Sequence, residues 1–188
     1  MTGQISDSYR YHERDFAIAG ISDEKTWFKP SQLKLKPESP NTACWRGFYA
    51  RFATLNSQLV LDDLHLFLIG KDYTPTVGPR INGVQPTGSK VDHDWFNNHY
   101  QGLGYPLKYT GRLLLGAGFI HELYVQMGSQ LAWKYEEVHE LVFKQGVLLE
   151  AYDRSAQMVA VRQRNIRRET ENDDPGLVFA WPDFTNLV

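Results

Sequence analysis

Hydrophobic positions in this chain come in short blocks set off by Gly, Pro and polar triplets, and they rarely fall at the 3.6-residue spacing of a helix. Phe16-Ala17-Ile18-Ala19-Gly20-Ile21 alternates large and small apolar residues, which predicts a short strand pressed against a neighbour. Residues 45–55 and 59–69 form two long β-prone runs separated by Asn56-Ser57-Gln58, the grammar of a hairpin. In the second run Leu64, Leu66 and Leu68 share one face, and His65, Phe67 and Ile69 share the other. Two partly apolar faces fit a central strand or a small closed barrel. Further strand signals cover 109–116, 119–127 and 138–143, with 147–152 following across Lys144-Gln145-Gly146.

Helical signals are sparse. They predict a brief turn capped by Ser22 and carrying Trp27 and Phe28, a short helix from Asp92 or Asp94 through Tyr100, and helical periodicity at Ala156–Arg168. Pro30, Pro37 and Pro40 make 29–43 a surface connection around a short strand at Leu33-Lys34-Leu35. Residues 70–90 read as a long loop, and 169–188 as a tail that folds back through Phe179, Trp181 and Phe184. The expected architecture is one mainly β domain over 1–188: an antiparallel sheet curling into a half-closed or closed barrel, with one or two short helices.

Composition narrows the function without naming it. The 188 residues are 42% hydrophobic and 22% charged, which suits a globular chain able to bury a core. A net charge of −2 supplies no positive field for nucleic acid, so none is expected as a partner. The longest apolar stretch, Leu64 to Ile69, is too short to span a bilayer as a helix. Cys44 is the single cysteine, and no charged-then-apolar leader opens the sequence; both are expected of a cytoplasmic protein.

Of six histidines, four have adjacent carboxylates, at His12-Glu13, Asp92-His93-Asp94, His121-Glu122 and His139-Glu140, and Asp63 shares a strand face with His65. No HExxH, helically spaced histidine pair or cysteine cluster accompanies them, so no resident metal or cofactor is expected. Cys44 reads as a structural thiol, and the basic run Arg162–Arg168 as a solvated face neutralised by the acids after it. The glycine pairs 102/104 and 116/118 lack the continuation a phosphate loop needs and read as turns or bulges.

The remaining pattern is arginine among aromatics on strands. Trp45, Arg46, Tyr49 and Arg51 belong to one run and Tyr109 and Arg112 to another, and an arginine fork beside aromatic faces can hold an anionic or planar ligand. The segments Trp45-Arg46-Gly47-Phe48 and Tyr109-Thr110-Gly111-Arg112-Leu113 resemble two blocks of uncharacterised bacterial β-rich proteins, which implies a bacterial, cytosolic, β-rich domain and no particular activity. With His65 and His121 added, these residues make up the candidate binding set. The expected function is a non-catalytic binding module for a protein or a small anionic ligand. The alternative is a small enzyme using histidine–carboxylate pairs in a β cup. A buried Arg46 would need a carboxylate such as Asp62 or Asp63, or an anion from outside.

Overall fold

The computed structural model describes residues 3–88, 94–126, 130–171, 181, 182 and 184. His93, with its neighbour Asp92, and much of the 169–188 tail therefore lie outside the described residues. The fold is mainly β, as the patterning predicts. Its strands are β1 (Ser8–Tyr11), β2 (Arg14–Ile21), β3 (Phe48–Leu55), β4 (Gln58–Leu66), β5 (Asn98–Tyr100), β6 (Tyr105–Pro106), β7 (Gly111–Phe119), β8 (Tyr135–Lys144) and β9 (Val147–Asp153). One helix follows, α1 (Ser155–Glu171), over the segment with helical spacing and longer than a short helix.

The strands follow one another in the order β3-β1-β2-β7-β8-β9-β4, and β4 pairs back onto β3 to complete a ring. Both expected hairpins are present, β3–β4 across Asn56-Ser57 and β8–β9 across Gln145-Gly146. The sheet is mixed because β1 runs parallel to β3, with Ser8 opposite Arg51 and Tyr9 opposite Phe52. The ring is loosest between β9 and β4, which share one register pair, Gln58 with Val147. That seam is held by Leu59 N–H donating to Gly146 O (2.7 Å) and Leu148 N–H donating to Ser57 O (2.8 Å). The result is a half-closed barrel.

Alternation decides what fills it. Phe48, Ala50 and Phe52 on β3, Leu64 and Leu66 on β4, and Leu113 and Leu115 on β7 all join one buried cluster with Tyr9, Tyr109 and Phe143. A second cluster lies outside the ring, where Met158 and Val161 of α1 cover Leu114 and Val138, with Trp181 and Phe184 of the tail packed against it. Arg162 locks the helix down by donating to the carbonyls of Trp133 (2.8 Å) and Tyr135 (2.5 Å), so the basic run is partly structural.

Three local expectations are corrected. Residues 30–33 form a 3-10 turn started by Pro30, and Lys34 takes the left-handed conformation (φ 59°), which excludes a strand at 33–35. Residues 98–100 pair with β4 and are not helical. The Asn98 amide fixes this short strand by accepting from Gly78 N–H and donating to Thr76 O, side-chain bonds that no propensity records. After Phe119 the chain turns through a 3-10 segment, His121–Leu123, instead of continuing as a strand; Met127 lies outside the described residues.

The two sequence blocks set apart above have structural explanations. Gly47 has φ 72°, and a Cβ there would collide with the backbone of Glu38. At Gly111 a Cβ would strike the Tyr109 ring, whose hydroxyl donates to Arg112 O at 3.1 Å. Gly47→Ala is expected to destabilise the fold by about 2–4 kcal/mol, since it combines a positive φ with a backbone collision. Gly83→Ala is the control: its φ is also positive (82°), but a Cβ there meets nothing within 4 Å. Its cost should stay near 1 kcal/mol. Urea denaturation of both variants checks this, and equal midpoints would contradict the collision argument.

Candidate functional site

Position in the ring sets the chemistry around Arg46. β1 and β3 begin, and β2 ends, at the same end of the barrel, and the chain from 22 to 30 folds across that end. A cleft of about 360 Å³ remains there, walled by Ile18, Ile21, Trp27, Phe28 and Phe48 and edged by Arg46, Lys29 and Glu24. Arg46 precedes β3, in the turn that Gly47 makes possible. Its Nη1 and Nη2 donate to the two carboxylate oxygens of Asp7 (2.8 and 3.0 Å), and Nη2 also donates to Ile5 O (3.1 Å). The guanidinium lies over the Phe48 ring, 4.6 Å from its centre.

The partner of Arg46 is thus Asp7, and neither Asp62 nor Asp63. Asp7 is buried at 6% exposure, and it also accepts from Ala50 N–H at 2.9 Å. Arg46 itself keeps 40% of its side chain exposed. Three of its five N–H groups are used in these contacts, and the other two make none of these bonds. The Trp27 indole N–H is sealed from solvent and has no acceptor among the described residues.

The other predicted residues separate. Trp45 is exposed in the turn before β3, and Tyr109 is core, its ring edge-on to Trp27. Arg112 pairs with Glu140 on the far side of the ring, beneath Trp181. His121 stands beyond the end of β7, edge-on to Phe119. Neither His65 nor His121 lines the Arg46 cleft. Cys44 is buried with its thiol donating to Phe48 O at 3.2 Å, and burial pushes its pKa up, consistent with a structural role.

Tyr49, Arg51 and His65 do meet, on the outer face of β3 and β4. The register sets Tyr49 opposite His65 and Arg51 opposite Asp63. Arg51 bonds Asp62 at 3.1 Å and pairs closely with Asp63, which also accepts from Gly102 N–H. Asp63 is therefore occupied and does not join His65 as a ligand pair. The Tyr49 ring stacks on His65 at 4.4 Å, tilted by 9°. His99, opposite His65 on β5, brings its Nδ1 to 2.6 Å from the His65 Nδ1. His99 Nε2 lies 2.9 Å from Asp94 Oδ2.

His99 and Asp94 were missed as partners of His65 because their meeting depends on β5, a strand without a propensity signal. Histidine–carboxylate pairing is thus present, but on the outside of the sheet and not in a cup. Among the described residues, no group of three or more His, Cys, Asp or Glu is arranged to hold a metal ion. Among them too, no helix is long and apolar enough to cross a membrane. The chain matches no family model, no curated protein and no solved structure in the three comparisons made.

Burial, with the neighbouring His99, lowers the His65 pKa to about 4. A depressed histidine pKa means that the unfolded chain takes up the proton first as pH falls. The contribution of neutral His65 is fully present above its ordinary value of about 6.5 and is lost as pH drops toward 4. Wild type should lose about 1–2 kcal/mol more than His65→Gln across that interval, because solvent screens a half-buried imidazole in part. Urea melts at pH 7 and pH 4.5 measure the difference, and parallel losses in the two proteins would remove the argument.

Proposed function

We propose that this protein is a binding module for a small anionic ligand with an apolar body, taken up in the Arg46 cleft. The observation that carries this reading is the pairing of an open apolar pocket with a half-exposed guanidinium that keeps two N–H groups unspent. A volume of about 360 Å³ is at the small end of ligand sites. The Trp27, Phe28 and Phe48 rings offer flat surface to the ligand body, and Lys29 adds a second positive charge at the rim. Asp7 neutralises part of the Arg46 charge but also fixes the fork in place, so little side-chain freedom is lost when a carboxylate docks. A buried, hydrogen-bonded lone cysteine suits a reducing cytoplasm as the setting.

The test is thermal denaturation against a panel of small apolar carboxylates, each paired with its uncharged amide. The acids should raise the midpoint and the amides should not. Lys29→Ala should leave unliganded stability unchanged while weakening the shift several-fold, because Lys29 is exposed and holds no strand. Arg46→Leu should abolish the shift and also lower unliganded stability by about 2–3 kcal/mol, since it strands the Asp7 carboxylate. A panel in which no acid moves the wild-type midpoint, or in which acid and amide act alike, would end the anionic-ligand reading.

A further inference from the structure

The hydrogen-bond geometry of the outer-face histidines fixes their protons. His99 Nε2 lies 2.9 Å from the Asp94 carboxylate and 3.0 Å from Phe96 O, both acceptors, so this nitrogen carries a hydrogen. In a neutral ring the Nδ1 of His99 is then a bare acceptor. It sits 2.6 Å from His65 Nδ1, which must therefore be the donor. Neutral His65 with its hydrogen on Nδ1 has a bare lone pair on Nε2. Among the described residues no hydrogen bond reaches that lone pair, and His65 is only partly buried.

We propose that Asp94, His99 and His65 form a proton relay whose working end is His65 Nε2, a general-base site on the outer face of the sheet for an uncharged hydroxyl-bearing molecule. When a hydroxyl donates to Nε2, the O–H bond breaks and an Nε2–H bond forms, and the electron pair stays on oxygen. His65 Nδ1 passes its own hydrogen to His99 Nδ1, so the positive charge comes to rest on His99 beside Asp94. His65 ends neutral with its hydrogen on Nε2, His99 ends as the cation with both nitrogens protonated, the hydroxyl ends as the oxyanion that balances it, and nothing is oxidised. The third group thus stabilises the charge that the second one acquires, as in other base–orienter arrays.

The surroundings select the ligand. Tyr49 stacks on His65 from β3, Arg51 and Asp63 form the next cross-strand pair, Asp62 joins them, and Asp94 and His99 approach from the β5 side. Among the described residues Arg51 and Arg10 stand against Asp62, Asp63, Asp94 and Arg10's own partner Asp15, which leaves this face negative while the histidines are neutral, disfavours anions and separates the site from the Arg46 cleft. Burial and the neighbouring His99 keep His65 neutral down to about pH 4, so the lone pair is available at neutral pH. The proposal is independent of ligand binding in the cleft.

Diethyl pyrocarbonate, which acylates bare imidazole nitrogens, is the probe, with peptide mass spectrometry to resolve His65. The His65 rate should change less than twofold between pH 7.5 and 5.5. A free N-acetylhistidine standard should slow about tenfold over the same range because its imidazole protonates near 6.5. His99→Gln should slow His65 several-fold while leaving its pH dependence flatter than that of the free standard, because burial is the larger cause of the lowered pKa. Nitrogen-15 NMR of the wild type settles the tautomers without any variant: His65 should carry its hydrogen on Nδ1 and His99 on Nε2. A hydrogen on His65 Nε2 at pH 7, an inert His65, or a rate that follows the free standard would each overturn the relay.

Discussion

The buried carboxylate of Asp7 is the point on which the ring of strands closes. Its side chain accepts from Ala50 N–H on β3 and from Arg46 just before that strand. Its own carbonyl accepts from Ile18 N–H on β2 at 2.8 Å. One residue ahead of β1 therefore ties three segments together. This matters because β1 is only four residues long and must hold the one parallel contact in the ring, a pairing that no hairpin turn can enforce. A buried carboxylate with charge-assisted bonds at fixed angles supplies the register that the short strand cannot.

Closing the ring around large side chains has a consequence for function. Tyr9, Phe52, Leu61, Leu64, Leu113, Leu141 and Phe143 occupy the lumen and are almost wholly buried. Interiors of this kind pack close to crystal density. Chemistry is displaced to the barrel end, where the 22–30 segment covers the core imperfectly, and to the outer face, where β5 extends the sheet beyond the ring. β3 serves both places through alternation. Phe48 turns toward the cleft, while Tyr49 and Arg51 turn toward the histidines.

Legibility of the sequence followed the range of the forces involved. The hairpins β3–β4 and β8–β9, the strand β2 and the helical spacing of α1 were readable because local alternation and turn residues encode them. The 33–35 region was misread because a positive φ at Lys34 leaves no mark in composition, and β5 because Asn98 holds it with side-chain bonds across about 20 residues of loop. The same limit governed the site. Tyr49, Arg51 and His65 could be grouped from neighbouring runs, but His65 and His99 stand 34 residues apart and meet only through the β4–β5 register. For Arg46 the sequence left a protein carboxylate and an anion from outside both open, and the structure pairs it with the carboxylate of Asp7. Choosing Asp7 over Asp62 and Asp63 required knowing that a bulge after Arg51 turns both of those toward Arg51.

Arginine beside an aromatic ring was the strongest chemical signal in the sequence, and the structure separates its three instances by what each guanidinium has left to give. Arg51 is three-quarters buried and is spent on two carboxylates. Arg112 is half exposed, yet it pairs with Glu140, which is 2% exposed and also holds Arg154, and its open face carries the Trp181 ring. Arg46 borders a cleft with apolar walls, and its stacking partner Phe48 is one of those walls. All three satisfy the same electrostatic rule, that a carboxylate buried in a sheet must be matched by a cation. What distinguishes the third is geometry at a strand end. Gly47 lets the chain turn tightly enough for the arginine to reach back to Asp7 while still facing solvent, so a residue recruited to close the barrel is also left at the mouth of its one described apolar cleft edged by both arginine and lysine.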